Sequence, residues 1–259
     1  MRPAKQPSTS ARATSPRAAA PDPRGRLQEN LKSIIGAIVI FLFVRVFLVE
    51  AYRIPTGSME PTLLVGDWLF VNKLAYGPHI PVLNVNLSGY ATPGRRDVVV
   101  FVSPPQPDNA PDITPVLVKR LWGLPGDTIY MRSGVLYING AAYPQGPAFA
   151  ANQTLPDFPD SAHFAWQARY GLTNTRFGSA PAQPTHDNWG PLLVPPAHYF
   201  MMGDNRYDSK DSRYWGFVPR ENLRGRPMFV YYSYDTETGL DYFRAVTEIR
   251  WSRIGHWIE

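Results

Sequence analysis

The chain has 259 residues, enough for one large domain or two smaller ones. Apolar residues make up 44% and charged residues 18%, which favours a packed core and excludes wholesale disorder. Proline, at 27 residues, has about twice its usual share of roughly 5%, which argues against a helical bundle and favours strands and loops. Cysteine is absent, which excludes disulfides, thiolate metal sites and a cysteine nucleophile.

The net charge of +5 lies entirely within the first 32 residues. There seven basic residues accompany two acidic ones, whereas the remaining 227 residues hold 19 of each sign. A nucleic-acid-binding domain should carry a basic face of its own, so we expect no nucleic-acid partner. Residues 1–30 are rich in Pro, Ala, Ser and Arg and are predicted to form a disordered basic tail.

An apolar run from Ser33 to Val49 follows the tail, with Arg45 near its end. Residues 31–51 provide about the 20 residues needed to cross a bilayer as a transmembrane helix. The positive-inside rule then places the tail in the cytoplasm and the rest of the chain outside the plasma membrane. A buried core helix and a cleaved signal peptide are the alternatives. Because the run is apolar on every face and long for a signal peptide, a retained single-pass anchor is favoured.

Beyond this anchor the sequence is typical of β-structure. Strands are predicted from short β-branched and aromatic runs at Asp67–Lys73, Asp97–Val102, Val116–Trp122, Gly134–Asn139, His198–Met202 and Pro227–Ser233. Asn139-Gly140 indicates a hairpin turn. Residues 141–196 change to Ala, Pro, Gln, Asn and aromatic residues without periodicity. We therefore predict a mainly β fold, with an inserted subdomain at 141–196 between core segments 52–140 and 197–259.

Neither a metal site nor a cofactor is predicted. The acidic residues show no paired metal-ligand spacing, and the five histidines form no H-E-x-x-H cluster. No G-x-S-x-G segment marks the nucleophile of a Ser-His-Asp triad.

Two segments carry candidate catalytic residues. Ser58 lies in a Gly- and Pro-containing turn at Ile54–Leu63, and on its own we expect it to cap that turn. Lys119 shares a strand face with Leu117 and Leu121. Desolvation there would lower its pKa from about 10.4 and let a neutral amine take a proton from a serine hydroxyl. From the strand pattern alone, we expect the amine to reach solvent instead.

A third segment, Gly203–Pro219, is dense in polar, glycine and aromatic residues directly after an apolar strand. This composition is typical of a hydrogen-bonded loop that positions other side chains, and a plain surface loop is the alternative.

Together these segments, in this order after an N-terminal anchor, resemble the type I signal peptidases. The resemblance rests on five ordered blocks: S-M-x-P-T-L at Ser58–Leu63, G-D-W-L-F-V-N-K at Gly66–Lys73, R-R-D-V-V-V-F at Arg95–Phe101, K-R-x-x-G-L-P-G-D at Lys119–Asp127, and G-D-N-R-x-x-S-x-D-S-R-Y-W-G at Gly203–Gly216. Such a resemblance implies a serine endopeptidase with a β-barrel-like catalytic core and an inserted β-rich subdomain.

The resemblance also implies residue roles. Ser58 would be the acylating nucleophile and Lys119 its general base, a dyad in place of a triad. Ser209 would orient the lysine amine. The hydroxyl of Thr56 and the backbone N–H of Ser58 would stabilise the oxyanion.

The substrates implied are exported precursors cleaved after small residues at the −3 and −1 positions. The cleavage segment would lie extended along a strand edge near Ile54 and Leu117. The shallow pockets would be lined by Ile54, Pro55, Met59, Leu63, Leu117 and Val118. Asp204, Asp211 and Arg213 would hold the loop together. Membrane lipid is the other expected partner, and we expect a monomer.

Two other functions compete with this interpretation. A self-cleaving repressor also uses a Ser/Lys pair, but it needs a DNA-binding module, which the neutral outer domain opposes. A membrane-tethered peptide-binding protein without activity would be favoured by loss of Ser58 or Lys119, and both are present. The C-terminal segment Ile249–Glu259 either rests at the membrane interface or forms a final core strand.

Overall fold

A computed structural model describes residues 23–80, 83, 85–106, 108–109, 111–143, 157, 161–173, 175–236 and 246–259, without the side chains of 23–29 and 161–162. The predicted disordered tail therefore lies outside the described residues up to residue 22, as does much of the predicted insertion between 144 and 160.

The chain divides into two compact units, residues 1–42 and 43–259. Helix α1 spans Pro23–Phe43 and is followed by a π-helical turn at Val44–Leu48. The stretch Asn30–Leu48 is long and apolar enough to cross a membrane and has no buried residue, which opposes the core-helix alternative. The helix ends before the predicted boundary at 51. The reason is that Val49–Arg53 pair with the next strand, which satisfies their backbone groups.

The fold of the described residues is mainly β, as predicted. Its strands are β1 Val49–Arg53, β2 Asp67–Asn72, β3 His79–Ile80, β4 Val85–Asn86, β5 Val98–Val102, β6 Val116–Gly123, β7 Thr128–Arg132, β8 Val135–Ile138, β9 Ala141–Tyr143, β10 Trp189–Leu193, β11 His198–Met202, β12 Val218–Pro219 and β13 Leu223–Ser233. There are also two short α-helices, α2 (Ser161–Phe164) and α3 (Ser212–Trp215), and 3₁₀ helices at Gly57–Met59, Ala165–Arg169, Arg220–Asn222 and Trp251–Arg253.

Three antiparallel sheets result. The larger sheet has the order β1-β2-β13-β5-β6-β11-β12, the smaller sheet has the order β10-β7-β8-β9, and β3 pairs with β4. In the larger sheet β1 and β12 are terminal and do not pair with each other, so this curled sheet is not a closed barrel. One buried apolar cluster, with Leu69 and Val100, lies on the larger sheet, and another packs Trp189 of the smaller sheet against Phe200 of β11 in the larger sheet.

All six predicted strands are present. Strand β11 has the predicted ends, and the other five differ from the prediction at one or both ends. Strand β13 begins at Leu223, four residues before the predicted start at Pro227. It accommodates the proline at a register shift between Pro227 and Phe229. The predicted hairpin is confirmed, because Asn139 and Gly140 have φ values of 53° and 90° and connect β8 to β9.

The smaller sheet does not coincide with the predicted insertion at 141–196. It contains β7 and β8, which precede residue 141, as well as β9 and β10. Residues Leu124–Asp127 separate it from β6. The composition change at 141 begins with β9, after β7 and β8, whose residues have ordinary β composition.

The C-terminal segment Ile249–Glu259 does not form a regular strand, but it contacts the core. Isolated bridges join Ile249 to Tyr234 and Trp257 to Phe229, and Ile258 is buried. Trp251 and Trp257 remain exposed. The segment is anchored by Arg253, whose Nη2 donates to Asp67 Oδ2 at 2.5 Å and to Thr62 O at 2.9 Å.

The Arg253–Asp67 pair gives a stability prediction. Asp67 is fully buried, so Arg253→Ala leaves its carboxylate without its cation. We expect the free energy of unfolding to fall by about 3–5 kcal/mol, measured by denaturant titration of the detergent-solubilised chain. The control is Arg226→Ala, which removes a half-exposed pair with Asp97 and should cost about 0–1 kcal/mol. Equal losses in the two variants would contradict the prediction.

Candidate active site

Ser58 lies in a short 3₁₀ turn, Gly57–Met59, directly after the extended residue Thr56. The side chain of Met59 is buried in the apolar cluster below and pins the turn to the sheet. From the other side, Asn205 N donates to Ser58 O at 3.1 Å and Asn205 Nδ2 donates to Gly57 O at 3.3 Å. The turn is thus clamped between the core and the loop that follows β11.

Lys119 lies on β6, opposite Val99 of β5, and is only 3% exposed. The expectation from the strand pattern, that this amine reaches solvent, is therefore wrong. The Ser58 turn covers this face, and Lys119 Nζ and Ser58 Oγ are hydrogen-bonded to each other. The alternation of side chains along β6 cannot show that the Ser58 turn covers this face, because Ser58 lies 61 residues from Lys119 in sequence.

Burial lowers the pKa of Lys119 to about 8, because the ammonium loses its hydration. The negative charge of Asp211 opposes this effect, and the positive charge of Arg213 adds to it. An ordinary lysine, with a pKa of about 10.4, is almost entirely protonated at neutral pH. This amine instead has an appreciable neutral fraction and can act as a proton acceptor.

Ser209 is buried, and its Oγ donates to Asp211 Oδ2 at 2.9 Å. The resemblance implies contact with the amine of Lys119, but among the described contacts this hydroxyl bonds to Asp211. The same carboxylate accepts from Gly203 N at 3.0 Å and pairs with Arg213 Nε at 2.8 Å. Burial raises the pKa of Asp211, but its contacts with Arg213 outweigh this and lower it overall.

A second ion pair holds Arg120, the residue that follows Lys119 on β6. Arg120 donates to both oxygens of Asp204, at 2.8 and 2.6 Å, in a bidentate arrangement. Thr62 Oγ1 donates to the same carboxylate at 2.6 Å. Asp204 therefore connects β6, the segment after Ser58 and the loop after β11, which fits the predicted structural role of Asp204, Asp211 and Arg213.

Gly203 is required by a close approach of two backbones. A Cβ at this position would lie 2.2 Å from Ser209 Oγ and 2.5 Å from Ser58 O. Both distances are far below van der Waals contact. Only glycine lets the loop after β11 approach the Ser58 turn this closely.

Thr56 is placed less tightly than the other predicted site residues. It is exposed, and its Oγ1 lies 3.5 Å from Ser58 Oγ, which is long for a hydrogen bond.

Within the described part of the chain, no cluster of three or more His, Asp or Glu side chains could hold a metal ion.

A cavity of about 100 Å³ opens beside Ser58 and Lys119. Five of the six predicted pocket residues line it: Ile54, Pro55, Met59, Leu117 and Val118. The sixth, Leu63, does not. Its side chain is fully buried in the apolar cluster with Leu69 and Val100, because it packs beneath the turn rather than beside it.

Unpaired backbone borders this cavity on two sides. Among the described strands, β1 is terminal in its sheet and pairs only with β2. Strand β11 pairs with β6 only from Arg120 onward, so in the described residues Val116–Lys119 have no neighbour on that edge. Both edges can pair with an extended peptide.

The family described as signal peptidase, peptidase S26, matches residues 27–232. The chain belongs to this family. Signal peptidase I of Pseudomonas aeruginosa is 37% identical over 219 residues, covering 80% of this chain and 73% of that protein. Signal peptidase I of Haemophilus influenzae is 30% identical over 277 residues, covering 88% and 78%. A solved signal peptidase I structure from Enterococcus faecalis covers 52% of this chain and 96% of its own, with 30% identity and a TM-score of 0.33.

As a signal peptidase, the chain is a serine endopeptidase that acts on precursors bearing signal peptides. Sequence reasoning missed three parts of the site. These are the clamp by Asn205, the close approach at Gly203 and the contacts of Asp211 with Ser209 and Gly203. The glycine was visible within the G-D-N-R block, but only the fold shows which atoms it approaches.

Gly203→Ala tests the close approach. The added methyl must displace either the Ser209 hydroxyl or the Ser58 carbonyl, so we expect precursor cleavage to fall by at least ~100-fold, the range seen when active-site geometry shifts by about 1 Å. Gly94→Ala is the control, because its new Cβ would be no closer than 3.5 Å to any atom. Cleavage rates should be measured on variants with matched circular dichroism. A Gly203→Ala enzyme as active as Gly94→Ala would contradict the close approach.

Proposed function

We propose that this chain is a membrane-anchored Ser/Lys endopeptidase that cleaves signal peptides after small residues at −3 and −1. Ser58 is the nucleophile and Lys119 the general base. The observation that carries the proposal is the hydrogen-bonded pair of Ser58 and Lys119, buried beside an apolar cavity and two unpaired strand edges.

In the first step the Ser58 hydroxyl donates its proton to neutral Lys119 Nζ as Oγ attacks the scissile carbonyl. The tetrahedral intermediate then collapses. Lys119 passes the proton to the leaving amine, which departs as the new N-terminus of the mature protein, and an acyl-enzyme remains on Ser58. A water molecule, deprotonated by the same amine, attacks the ester and restores the serine.

The negative charge on the oxyanion needs donors on the cavity side of Ser58. The backbone N–H of Ser58 supplies one, and the Thr56 hydroxyl supplies the other after rotating from its position 3.5 Å from Ser58 Oγ. Removing one such donor typically costs about 3–4 kcal/mol of transition-state stabilisation. The exposure of Thr56 fits a group that is covered only when the peptide is bound.

Ser209 acts together with Asp211 on the lysine. Its O–H donates to Asp211, which leaves the lone pairs of Oγ free to accept from the amine and to aim the Nζ lone pair at Ser58. Ser209 would thus orient Lys119 without competing for its lone pair.

The peptide would add a strand beside Val116–Lys119 and Arg53–Pro55. Alternate side chains of a strand point to the same face, so −1 and −3 would both face the protein. A cavity of about 100 Å³ has room for a few water-sized groups, which suits a methyl and excludes aromatic side chains.

Asn30–Leu48 would retain the enzyme in the plasma membrane with its basic N-terminal segment in the cytoplasm. Residues 49–259 would then lie outside, where exported precursors emerge.

The dyad is tested with purified full-length enzyme and a peptide containing an Ala-x-Ala site. Ser58→Ala and Lys119→Ala should each lose cleavage by roughly 10³-fold or more, because removing either dyad member removes the nucleophile or its base. Ser88→Ala and Lys210→Ala, at exposed positions, should cleave at the wild-type rate. A peptide with Phe at −1 should not be cut. Wild-type rates in either dyad variant would contradict the mechanism.

The pKa of Lys119 predicts a pH profile. Only the neutral amine is a base, so kcat/KM should rise as pH increases through about 8 and level off above it. With this pKa the neutral fraction is about 10% at pH 7 and about 90% at pH 9. Single-turnover acylation measured between about pH 6 and 10, a range that brackets the pKa of the amine, gives the curve. A flat profile would contradict a lysine base.

A further inference from the structure

The two-stranded ribbon of β3 and β4 exposes apolar side chains to solvent. Leu83, in the turn between the two strands, is 67% exposed, and Val85 and Leu87 are 46% and 43% exposed. Because side chains alternate along an extended chain, Val85 and Leu87 share one face and Asn86 lies on the other. A two-stranded ribbon is marginally stable in water unless such an apolar face packs against something.

The opposite face of the ribbon is turned toward the protein. Asn86 Nδ2 donates to the backbone carbonyl of Glu221 at 2.9 Å, which ties β4 to the 3₁₀ helix before β13. The face that carries Val85 and Leu87 therefore points away from this contact, and their exposure shows that no described residue covers them.

The base of the ribbon is held by a close approach of its two arms. Leu87 N donates to Pro78 O at 3.0 Å, and a Cβ on Gly77 would lie 1.9 Å from Leu87 O. Gly77 also has a φ of 105°, which side chains of other residues disfavour. The apolar face is thus fixed in direction at its base.

The ribbon begins beside the end of the apolar stretch Asn30–Leu48. Strand β3 lies next to the π-helical turn Val44–Leu48. Lys73, the last residue before the ribbon segment, donates from its backbone N to Leu48 O at 3.0 Å and from Nζ to Arg45 O at 3.4 Å. In an enzyme anchored by this stretch, the turn lies at the outer surface of the bilayer, and so does the start of the ribbon.

The composition of the ribbon segment suits lipid better than water. Residues 74–94 contain no Asp, Glu, Lys or Arg, although 18% of the whole chain is charged. Lys73 and Arg95 flank this uncharged segment, and Tyr90 within it is exposed, a residue type enriched where a membrane meets water. Outward apolar side chains on an uncharged segment are typical of the boundary between lipid headgroups and acyl chains.

We propose that the β3–β4 ribbon is a second membrane attachment, which places Leu83, Val85 and Leu87 among the lipids of the outer leaflet. The inference rests on the proposed membrane anchor, because the ribbon reaches lipid only if Asn30–Leu48 crosses the bilayer. Two attachments restrict the rotation of the catalytic domain about its anchor, and so limit the directions from which a membrane-embedded precursor can enter the site.

Single-cysteine labelling tests the proposal, since the chain has no cysteine of its own. Leu83→Cys, Val85→Cys and Leu87→Cys are made in the full-length enzyme, labelled with the fluorophore NBD and reconstituted into vesicles of phosphatidylcholine and phosphatidylglycerol. Lipids with a spin label near the headgroup end of the acyl chain then quench any probe at the membrane boundary. We expect all three probes to lose fluorescence in proportion to the spin-labelled fraction and to be protected from aqueous iodide.

Three further cysteines are the controls. Ser88→Cys lies next to Leu87 on the other face, and Leu193→Cys replaces a leucine of the smaller sheet that is 44% exposed. Both probes should respond to iodide and not to spin-labelled lipid. Ile38→Cys, within the apolar helix, should be quenched by lipid. Each variant must cleave the Ala-x-Ala peptide at the wild-type rate, which shows that it is folded, and Val85→Cys or Leu87→Cys alone suffices if another variant fails.

The other occupants of this face give different results. If the Ile38 probe is quenched but the ribbon probes behave like that at Leu193, the ribbon proposal is overturned and the anchor stands. Quenching that appears only after precursor is added would assign the face to the signal peptide. Iodide protection that appears only at high protein-to-lipid ratio would assign it to a second copy of the chain, and either result overturns the proposal. An unquenched Ile38 probe would refute the anchor and the ribbon proposal together.

Discussion

The site depends on the removal of one amine from water. Lys119 is shielded because the Ser58 turn closes over β6, and the turn stays closed because the loop after β11 donates to its carbonyls. Desolvation lowers the pKa of the amine to about 8, although the negative charge of Asp211 acts to raise it. In the proposed mechanism a buried lysine takes the place of the histidine of a Ser-His-Asp triad, and its packing lowers its pKa.

Charged side chains near Lys119 form pairs of opposite charge. Asp211 is paired with Arg213, and Asp204 with Arg120, so two of the carboxylates that act to raise the pKa of Lys119 have cationic partners of their own. Buried carboxylates left without those partners would hold the lysine in its charged form. These pairs also fix the loop that contacts Ser58, so electrostatics and geometry are set by the same contacts.

Much of this arrangement was accessible from the sequence. The strands, the Asn139–Gly140 hairpin and the apolar helix follow from local patterns, and five of the six residues named from the family resemblance border the cavity beside Ser58. Three features did not. Lys119 is covered by the Ser58 turn, which is distant in sequence, and Leu63 packs below that turn. The smaller sheet includes β7 and β8, which lie before the change of composition at residue 141. Each depends on which segments meet in space, which local periodicity does not encode.

The bare edge of β6 at Val116–Lys119 has a consequence for evolution of the substrates. If the peptide pairs with this edge as proposed, main-chain groups make most of the contacts, so a signal peptide would be free to vary at positions that point away from the enzyme. Only the side chains that point toward the enzyme would have to fit its cavity. Under that proposal, one peptidase could cleave precursors whose signal peptides differ at most positions.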